Sequence, residues 1–556
     1  MEERTRRLST CWVPPVLLLL IGRLSSAVST AEFPVRLQDN GTVSISAVAP
    51  SKELKVNAGA STADTLTVLG NVHATGGVFV DGEPAATNKN SMLVSDVPMC
   101  HEPGTDAMLG LPTGGFECDC LEGWSGTTCD VSAESARARI RVGYEFTCTI
   151  LSNNNKVKCW GKGSDGQLGY ADRNFRGDGP NEMGDNLPYV DVGTGRTVKE
   201  ISTGSTSYHT CAILDNDKLK CWGSNSYGRL GYGDITMRGA GPNDMGDNLP
   251  YVDVGTGRTV KQISVGSLST CALLDNDKLK CWGHPPLGYG DGCCNLRGDG
   301  PNEMGDNLPY VDVGTGRTIK QISAGSRHTC AILDNDKLKC WGSNSYGRLG
   351  YGDTTMRGAG PNDMGDNLLY VDLGTGRTVK QISAGSVHTC AILDDYKLKC
   401  WGWNEYGRLG YGDTTTRGDL PNSMGDNLPY VDVGTGRTVK QISAGELQTC
   451  AILDNDKVKC WGRNDGGQLG YGDTNNRGDG YNEMGDNLPY VDVGTGRTVK
   501  QIAAGSGLFC ALLDNDAVKC WGRNSWGQLG YGDTTTRGRW PNDMGDNLPE
   551  VDLGSA

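Results

Sequence analysis

The sequence predicts an all-β fold: a seven-bladed β-propeller preceded by a small disulfide-rich module and a β-rich or flexible stem. Three observations lead there. Cys-Trp-Gly recurs at Cys159, Cys221, Cys281, Cys340, Cys400, Cys460 and Cys520, with spacings of 62, 60, 59, 60, 60 and 60 residues. Each unit reads as two apolar strands around a tight polar turn, with no helical pattern anywhere in it. Glycine, at 82 of 556 residues, is about twice its usual share and disfavours helix interiors.

The hairpin can be read residue by residue. Cys330-Ala-Ile-Leu333 and Lys337-Leu-Lys-Cys340 flank Asp334-Asn335-Asp336. Pairing about Asn335 sets Cys330 opposite Cys340 and Ile332 opposite Leu338, on one face. Opposed Cα atoms lie about 4.5–5.5 Å apart, within disulfide reach. The expected bridges are Cys148–Cys159, Cys211–Cys221, Cys271–Cys281, Cys330–Cys340, Cys390–Cys400, Cys450–Cys460 and Cys510–Cys520. The alternative is seven pairs of buried free thiols. Trp160, Trp222, Trp282, Trp341, Trp401, Trp461 and Trp521, each beside a paired Cys, are expected between blades.

Seven equal units imply radial repetition over residues 137–556. The array is entered at Arg141-Val142-Gly143 and left at Val551-Asp-Leu-Gly554, which occupy different positions of the unit. The expectation is that the last segment completes the first blade and removes the exposed edge.

The motif Ile-Ser-Ala-Gly-Ser-x-His-Thr-Cys-Ala-Ile-Leu, then Lys-Cys-Trp-Gly, then Gly-x-Leu-Gly-Tyr-Gly-Asp resembles the regulator of chromosome condensation repeat over about 420 residues. The resemblance implies a seven-bladed propeller, in agreement with the count. It also implies guanine-nucleotide exchange, the activity of the founding nuclear members, which does not transfer easily to an exported chain. The motif histidine is present as His209, His328 and His388, whereas Phe146, Ser269, Gln448 and Leu508 replace it elsewhere. Such variation fits a structural role.

Upstream, Arg4, Arg6 and Arg7 precede an apolar run from Val16 to Ile21 and small residues from Ser25 to Ala31. This is the order of an export signal, assigned to residues 1–31. The even, patterned cysteines that remain fit an oxidising compartment. Residues 32–98 alternate short apolar pairs with Gly and Asn turns and resemble the stems of phage-type fibres, often trimeric. The other reading is a linker. Asn40-Gly-Thr42 is a glycosylation sequon. Residues 99–131 hold Cys118-Asp-Cys120 and Gly-Trp-Ser-Gly-Thr-Thr-Cys129, which resemble the C-terminal half of an epidermal-growth-factor-like module. That resemblance implies Cys120–Cys129 and Cys100–Cys118 bridges; one of the usual three is missing.

The formal net charge of −14 argues against nucleic acid as the main partner. Asp185, Asp247, Asp306, Asp366, Asp426, Asp486 and Asp546 share one loop position in all seven units. One reading is a calcium site. The favoured reading pairs each Asp with a loop Arg or with backbone donors. Arg-Gly-Asp at Arg176, Arg297, Arg417 and Arg477 reads as a by-product of the repeat. Trp403, Trp526 and Trp540 each occur in one unit only and, with Tyr227, Tyr346 and Tyr406, are the candidate contact residues. The third unit departs most: His284-Pro285-Pro286 replaces a longer stretch and Cys293-Cys294 is inserted. Those cysteines read as a vicinal or intermolecular bridge, or as thiols holding a metal with His284.

No nucleophile, zinc-protease or phosphate-loop motif is present. The sequence therefore reads as a secreted, extracellular, non-catalytic modular protein that binds protein or glycan, without a cofactor or a transmembrane span. An exchange factor, and a structural matrix or cell-wall component that is homotrimeric through the stem, are the alternatives.

Overall fold

The computed structural model describes residues 139–555 in full, and within 35–132 it describes four short antiparallel ribbons by backbone pairing alone. Cys100, Cys118, Cys120, Cys129 and Asn40, the export signal and the trimeric stem were expected in segments that lie outside the fully described residues. Residues 138–556 form one compact unit.

That unit is built from seven three-stranded antiparallel sheets. In blade I the strands are Ile140–Val142, Phe146–Ile150 and Val157–Gly161. Blade IV, which serves as the reference, has Ile319–Ala324, His328–Leu333 and Leu338–Gly342. The first strand of each blade meets the first strand of the next, so it lines the axis. Gly204 approaches the Val265 carbonyl, and Gly325, Gly385, Gly445 and Gly505 each approach the corresponding turn of the following blade. A β-carbon on Gly325 would lie 2.3 Å from the Gly385 carbonyl oxygen. Seven inner strands converge this closely only where the side chain is a hydrogen atom.

The hairpin register is the one expected: Cys330 faces Cys340 and Ile332 faces Leu338. All seven hairpins are stapled, with Cα–Cα distances of 4.1 Å. The turn needs one residue in the left-handed region, and Asp336 takes it at φ +58°. Each disulfide is buried in the seam against the next blade. Cys330 and Cys340, for example, pack with Ile382, Leu393 and Trp401 of blade V.

The seam is keyed by the tryptophan. Trp401 is fully buried, and its Nε1–H donates to the Arg348 carbonyl of blade IV at 3.0 Å. Thr389 Oγ1 donates to the same carbonyl at 2.8 Å. Trp160, Trp222, Trp282, Trp341 and Trp461 make the equivalent bond. Blade VII differs: Phe509 replaces the threonine and stacks on Trp521, whose Nε1 has no partner. Behind each indole sits a glycine at positive φ, such as Gly350 at +79°.

Ring closure differs from the expectation. All three strands of blade I come from residues 140–161. The last segment instead bonds its own blade, Val551 N–H to the Val518 carbonyl, and then reaches blade I. There Gly184 N–H donates to the Asp552 carbonyl at 3.0 Å, and Lys158 Nζ donates to the Leu553 carbonyl at 2.8 Å. The same link joins every other pair of blades, as at Gly365 N–H and the Asp312 carbonyl. The ring therefore closes by repeating its ordinary seam, and no strand is exchanged.

A β-carbon on Gly350 would meet Trp401 Nε1 at 2.7 Å, whereas one on Gly316, at φ +70°, meets nothing within 4 Å. Both substitutions to alanine strain a left-handed backbone, by about 1–2 kcal/mol. Gly350→Ala also displaces the indole. In urea unfolding it is expected to lose roughly 2 kcal/mol more than Gly316→Ala. Equal losses would show that the seam tolerates the shift.

Candidate interaction face

The middle strand of each blade begins, and the outer strand ends, at the same rim, because His328 pairs with Gly342. The turns before the middle strands and the loops after the outer strands therefore share one face. The Asp-Asn-Asp turns point the other way. Near-identical units diverge on this rim.

From blade IV to blade VII the rim carries a continuous ladder of rings and cations. Tyr346 stacks on Trp403, with centroids 4.9 Å apart and planes 15° apart. The Arg408 guanidinium lies 4.5 Å from the Trp403 ring and 5.5 Å from Tyr406. Arg463 covers Tyr406 at 5.3 Å and pairs with Asp465 at 2.7 Å. Arg523 of blade VII takes the same carboxylate at 2.8 Å. Tyr346 holds φ +69°, a conformation no other rim tyrosine adopts and one that costs a non-glycine residue about 1–2 kcal/mol. Backbone strain of this kind concentrates at functional sites.

A second cluster spans blades VII, I and II. Lys162 Nζ lies 5.0 Å from the Trp526 ring and also faces Tyr144 and Tyr208, which pack at 4.8 Å. Phe175 meets Trp526 edge-on at 5.0 Å. A third, smaller contact sets Tyr227 against His284. Trp403 and Trp526 thus lie on one rim in separate clusters. Trp540 joins neither: it is 62 % exposed on the loop whose backbone passes Gly472, and its ring faces Arg539.

The seven loop aspartates are clasps between neighbouring units. Asp366 accepts from the Thr315 backbone N–H at 3.0 Å and from its hydroxyl at 2.5 Å. Asp247, Asp306, Asp426, Asp486 and Asp546 repeat this with Thr194, Thr256, Thr375, Thr435 and Thr495. Asp185 does so with Ser555, across the closing seam. These bonds lower each carboxyl's pKa. The donors are backbone N–H and hydroxyl groups; the loop arginines go elsewhere. Arg357 pairs with Asp353 at 2.8 Å and lies over Tyr351. In the Arg-Gly-Asp segments, Arg176, Arg297, Arg417 and Arg477 are held in the same way, by Asp172, Asp291, Asp413 and Asp473. Among the described residues no group of three or more His, Cys, Asp or Glu side chains is placed to hold a metal ion. The seven aspartates are engaged by Thr or Ser donors, and Cys293, Cys294 and His284 are not brought together as a group. His284 bonds the Pro285 carbonyl, and the two thiols are exposed with sulfurs 3.8 Å apart.

The repeated lysine was not singled out from sequence. Lys339 is buried, and its Nζ donates to the Val313 and Gly365 carbonyls at 3.0 and 2.8 Å. Burial lowers its pKa, and Asp366 and Asp312 oppose that shift. The signal was its presence in all seven Lys-Cys-Trp-Gly motifs, which an exposed strand residue would not need. The motif histidines are buried and seam-bound. His388 Nε2 lies 2.8 Å from the Thr449 hydroxyl of blade VI. Burial first, and then Arg408 and Arg348, push its pKa down to about 3.

The description "Regulator of chromosome condensation (RCC1) repeat" belongs to the family model that matches residues 198–229, 260–288, 319–348, 379–408, 439–468 and 499–528. A second model of the same description matches 400–452 and 455–512. The chain is 28 % identical over 412 residues to the Ultraviolet-B receptor UVR8 of Arabidopsis thaliana, covering 72 % of this chain and 79 % of that protein. It is 26 % identical over 391 residues to RCC1 domain-containing protein RUG3, mitochondrial, also of Arabidopsis thaliana, covering 67 % and 78 %. Among solved structures, yeast RCC1 (Prp20) in complex with Kap60 matches with TM-score 0.51 at 18 % identity, covering 74 % of this chain and 87 % of that one. Human WBSCR16 matches with TM-score 0.51 at 17 % identity, covering 70 % and 92 %. At these identities the structures show the fold alone.

Two pH effects follow. A His388 held neutral protonates more readily in the unfolded chain, so stability falls as pH drops from about 6.5 towards about 3. Gln448 fills the equivalent place in blade VI and donates to the Gly505 carbonyl at 2.8 Å. His388→Gln is therefore expected to fold and to flatten the melting temperature between pH 6.5 and 4; an unchanged slope refutes the assignment. The aspartate clasps have lowered folded pKa values, so their contribution is present above about pH 3.9 and lost below it. Asp366→Asn should lose stability at pH 7 and show less further loss under acid than the parent.

Proposed function

From a chain that carries regulator of chromosome condensation repeats around a closed seven-bladed ring, we propose an exported, non-catalytic protein-binding platform whose contact face is the aromatic and cationic rim. The ladder from Tyr346 to Arg523 carries this reading. Elsewhere the repeated polar groups are spent on holding blades together. On the rim the units diverge and place rings and guanidinium groups where a partner can meet them, the composition typical of binding hot spots. Seven buried disulfides require an oxidising compartment to form, which supports export along with the signal-like order of residues 1–31. The yeast RCC1 structure, a propeller of this fold bound to another protein, supports a binding role.

The test uses residues 32–556 as bait on the extracellular fraction of the native source. The parent is compared with a Tyr346→Ser/Trp403→Ser variant and with Lys337→Ser at the opposite face. The expected result is a protein retained by the parent and by Lys337→Ser but lost with the rim variant. Equal retention by all three would refute the assignment of the face.

A further inference from the structure

We infer that Arg408 is the anchor for a carboxylate of an acidic segment of the protein partner, bound on the rim of blades IV to VI. This rests on the rim being the contact face and names what that face recognises.

The first observation is a charge without a partner. Arg408 is fully buried, and its Nε, Nη1 and Nη2 have no hydrogen-bond partner. The faces of Trp403 and Tyr406 cover it, and the Glu405 and Glu446 carboxylates act on it only through space, without a hydrogen bond. Cation–π contacts contribute about 1–2 kcal/mol when desolvated, less than burying an unpaired charge costs. Its pKa is pulled down to about 10 by burial, so it stays charged at neutral pH.

The second observation is a comparison within the chain. Arg229 and Arg348 hold the same position in blades II and IV. Each spends Nη1 on a carbonyl of the following blade, Ser267 at 2.9 Å and Ser386 at 3.1 Å. In blade V that bond is absent. The following turn there carries Glu446 in place of serine, and its carboxylate accepts from the Ser506 hydroxyl instead. The Arg408 backbone is nevertheless fixed, because its carbonyl takes both Thr449 Oγ1 and Trp461 Nε1. A rigidly held, unspent guanidinium is suited to bidentate capture of a carboxylate. It lies one side chain below the surface, so the incoming group reaches it by displacing Trp403 or Tyr406.

The third observation is charge segregation. The chain carries −14 overall, yet the turns before the middle strands and the first seven residues after each outer strand together hold seven Lys and Arg against five Asp and Glu. Glu145 and Asp465 among those acids are already paired with rim cations. A partner presenting carboxylates is attracted here and repelled by the rest of the molecule.

The experiment is fluorescence anisotropy with residues 32–556 and a labelled, acetylated decapeptide rich in Asp and Glu. A Lys-rich decapeptide and a sulfated heparin hexasaccharide are the comparisons. The expected result is binding of the acidic peptide alone, weakened by salt. Arg408→Met should lose at least tenfold in affinity. Arg348→Met, whose guanidinium is already bonded, should lose less than twofold. Should Arg408→Met fail to fold, Glu446→Gln serves instead: removing the nearby competing carboxylate should tighten binding about threefold. Equal loss in Arg348→Met, unchanged affinity in Glu446→Gln, or preference for heparin or the Lys-rich peptide overturns the inference. If the acidic peptide does not bind the parent while partner retention still depends on Tyr346 and Trp403, the carboxylate anchor falls and the rim assignment stands.

Discussion

Each blade is fastened to its neighbour by an indole that reaches backward into a slot only glycine can leave open. Trp401 shows the logic. Its ring fills the seam, its N–H finds the Arg348 carbonyl, and Gly350 lies so close that no larger residue fits. A three-stranded sheet of five- or six-residue strands buries too little by itself to be stable. Burial against the next blade supplies the core, and the seven hydrophobic clusters each draw residues from two adjacent blades. Stability is therefore a property of the ring. Closure by Asp552, Leu553 and Ser555 matters because it gives blade I the same seam as the rest.

Around that seam the polar residues divide their work by depth. Buried Lys158, Lys220, Lys339 and Lys399 are each tied to two carbonyls, and Lys280, Lys459 and Lys519 to one, a geometry that lets an ammonium remain charged inside a protein. The exposed aspartates clasp the preceding unit's threonine turn. The motif histidines stay neutral chiefly because they are buried, and nearby guanidinium groups add to the effect. Groups that resemble catalytic or metal-binding candidates by residue type are thus consumed by architecture. The Arg-Gly-Asp arginines follow the same rule, folded back onto an aspartate and a tyrosine ring.

Among the described residues, one rim gathers several strained or unspent groups. There the repeat has been edited: Trp403, Trp526 and Glu446 appear once each, Tyr346 is forced into a left-handed backbone, and Arg408 is buried without a partner. The Tyr346 backbone and the burial of Arg408 cost stability, while Trp403 and Glu446 contact neighbouring blades. A surface organised to contact something else would account for that cost. The framework beneath is rigid, with the disulfide-linked strands ending at the loops that carry these residues.

The sequence by itself determined the architecture, because each unit contains the whole local code. Apolar alternation set the hairpin register, an Asp at the left-handed turn position set its length, and the directly opposed cysteines followed from that register. The count of Cys-Trp-Gly motifs set the number of blades. Tertiary structure decided which polar side chains were already committed, since Asp366, Lys339 and His388 each find a partner in a neighbouring blade, at Thr315, Val313 and Thr449, some 26 to 61 residues away along the chain. It also decided that the ring closes without strand exchange, which depends on where the two termini meet. Trp403, Trp526 and Trp540 looked alike as single departures from the repeat, but only three-dimensional placement joined the first to a ladder of cations and left the third apart. Local pattern fixes a repeated element, whereas the fate of a charge depends on what the closed ring brings against it.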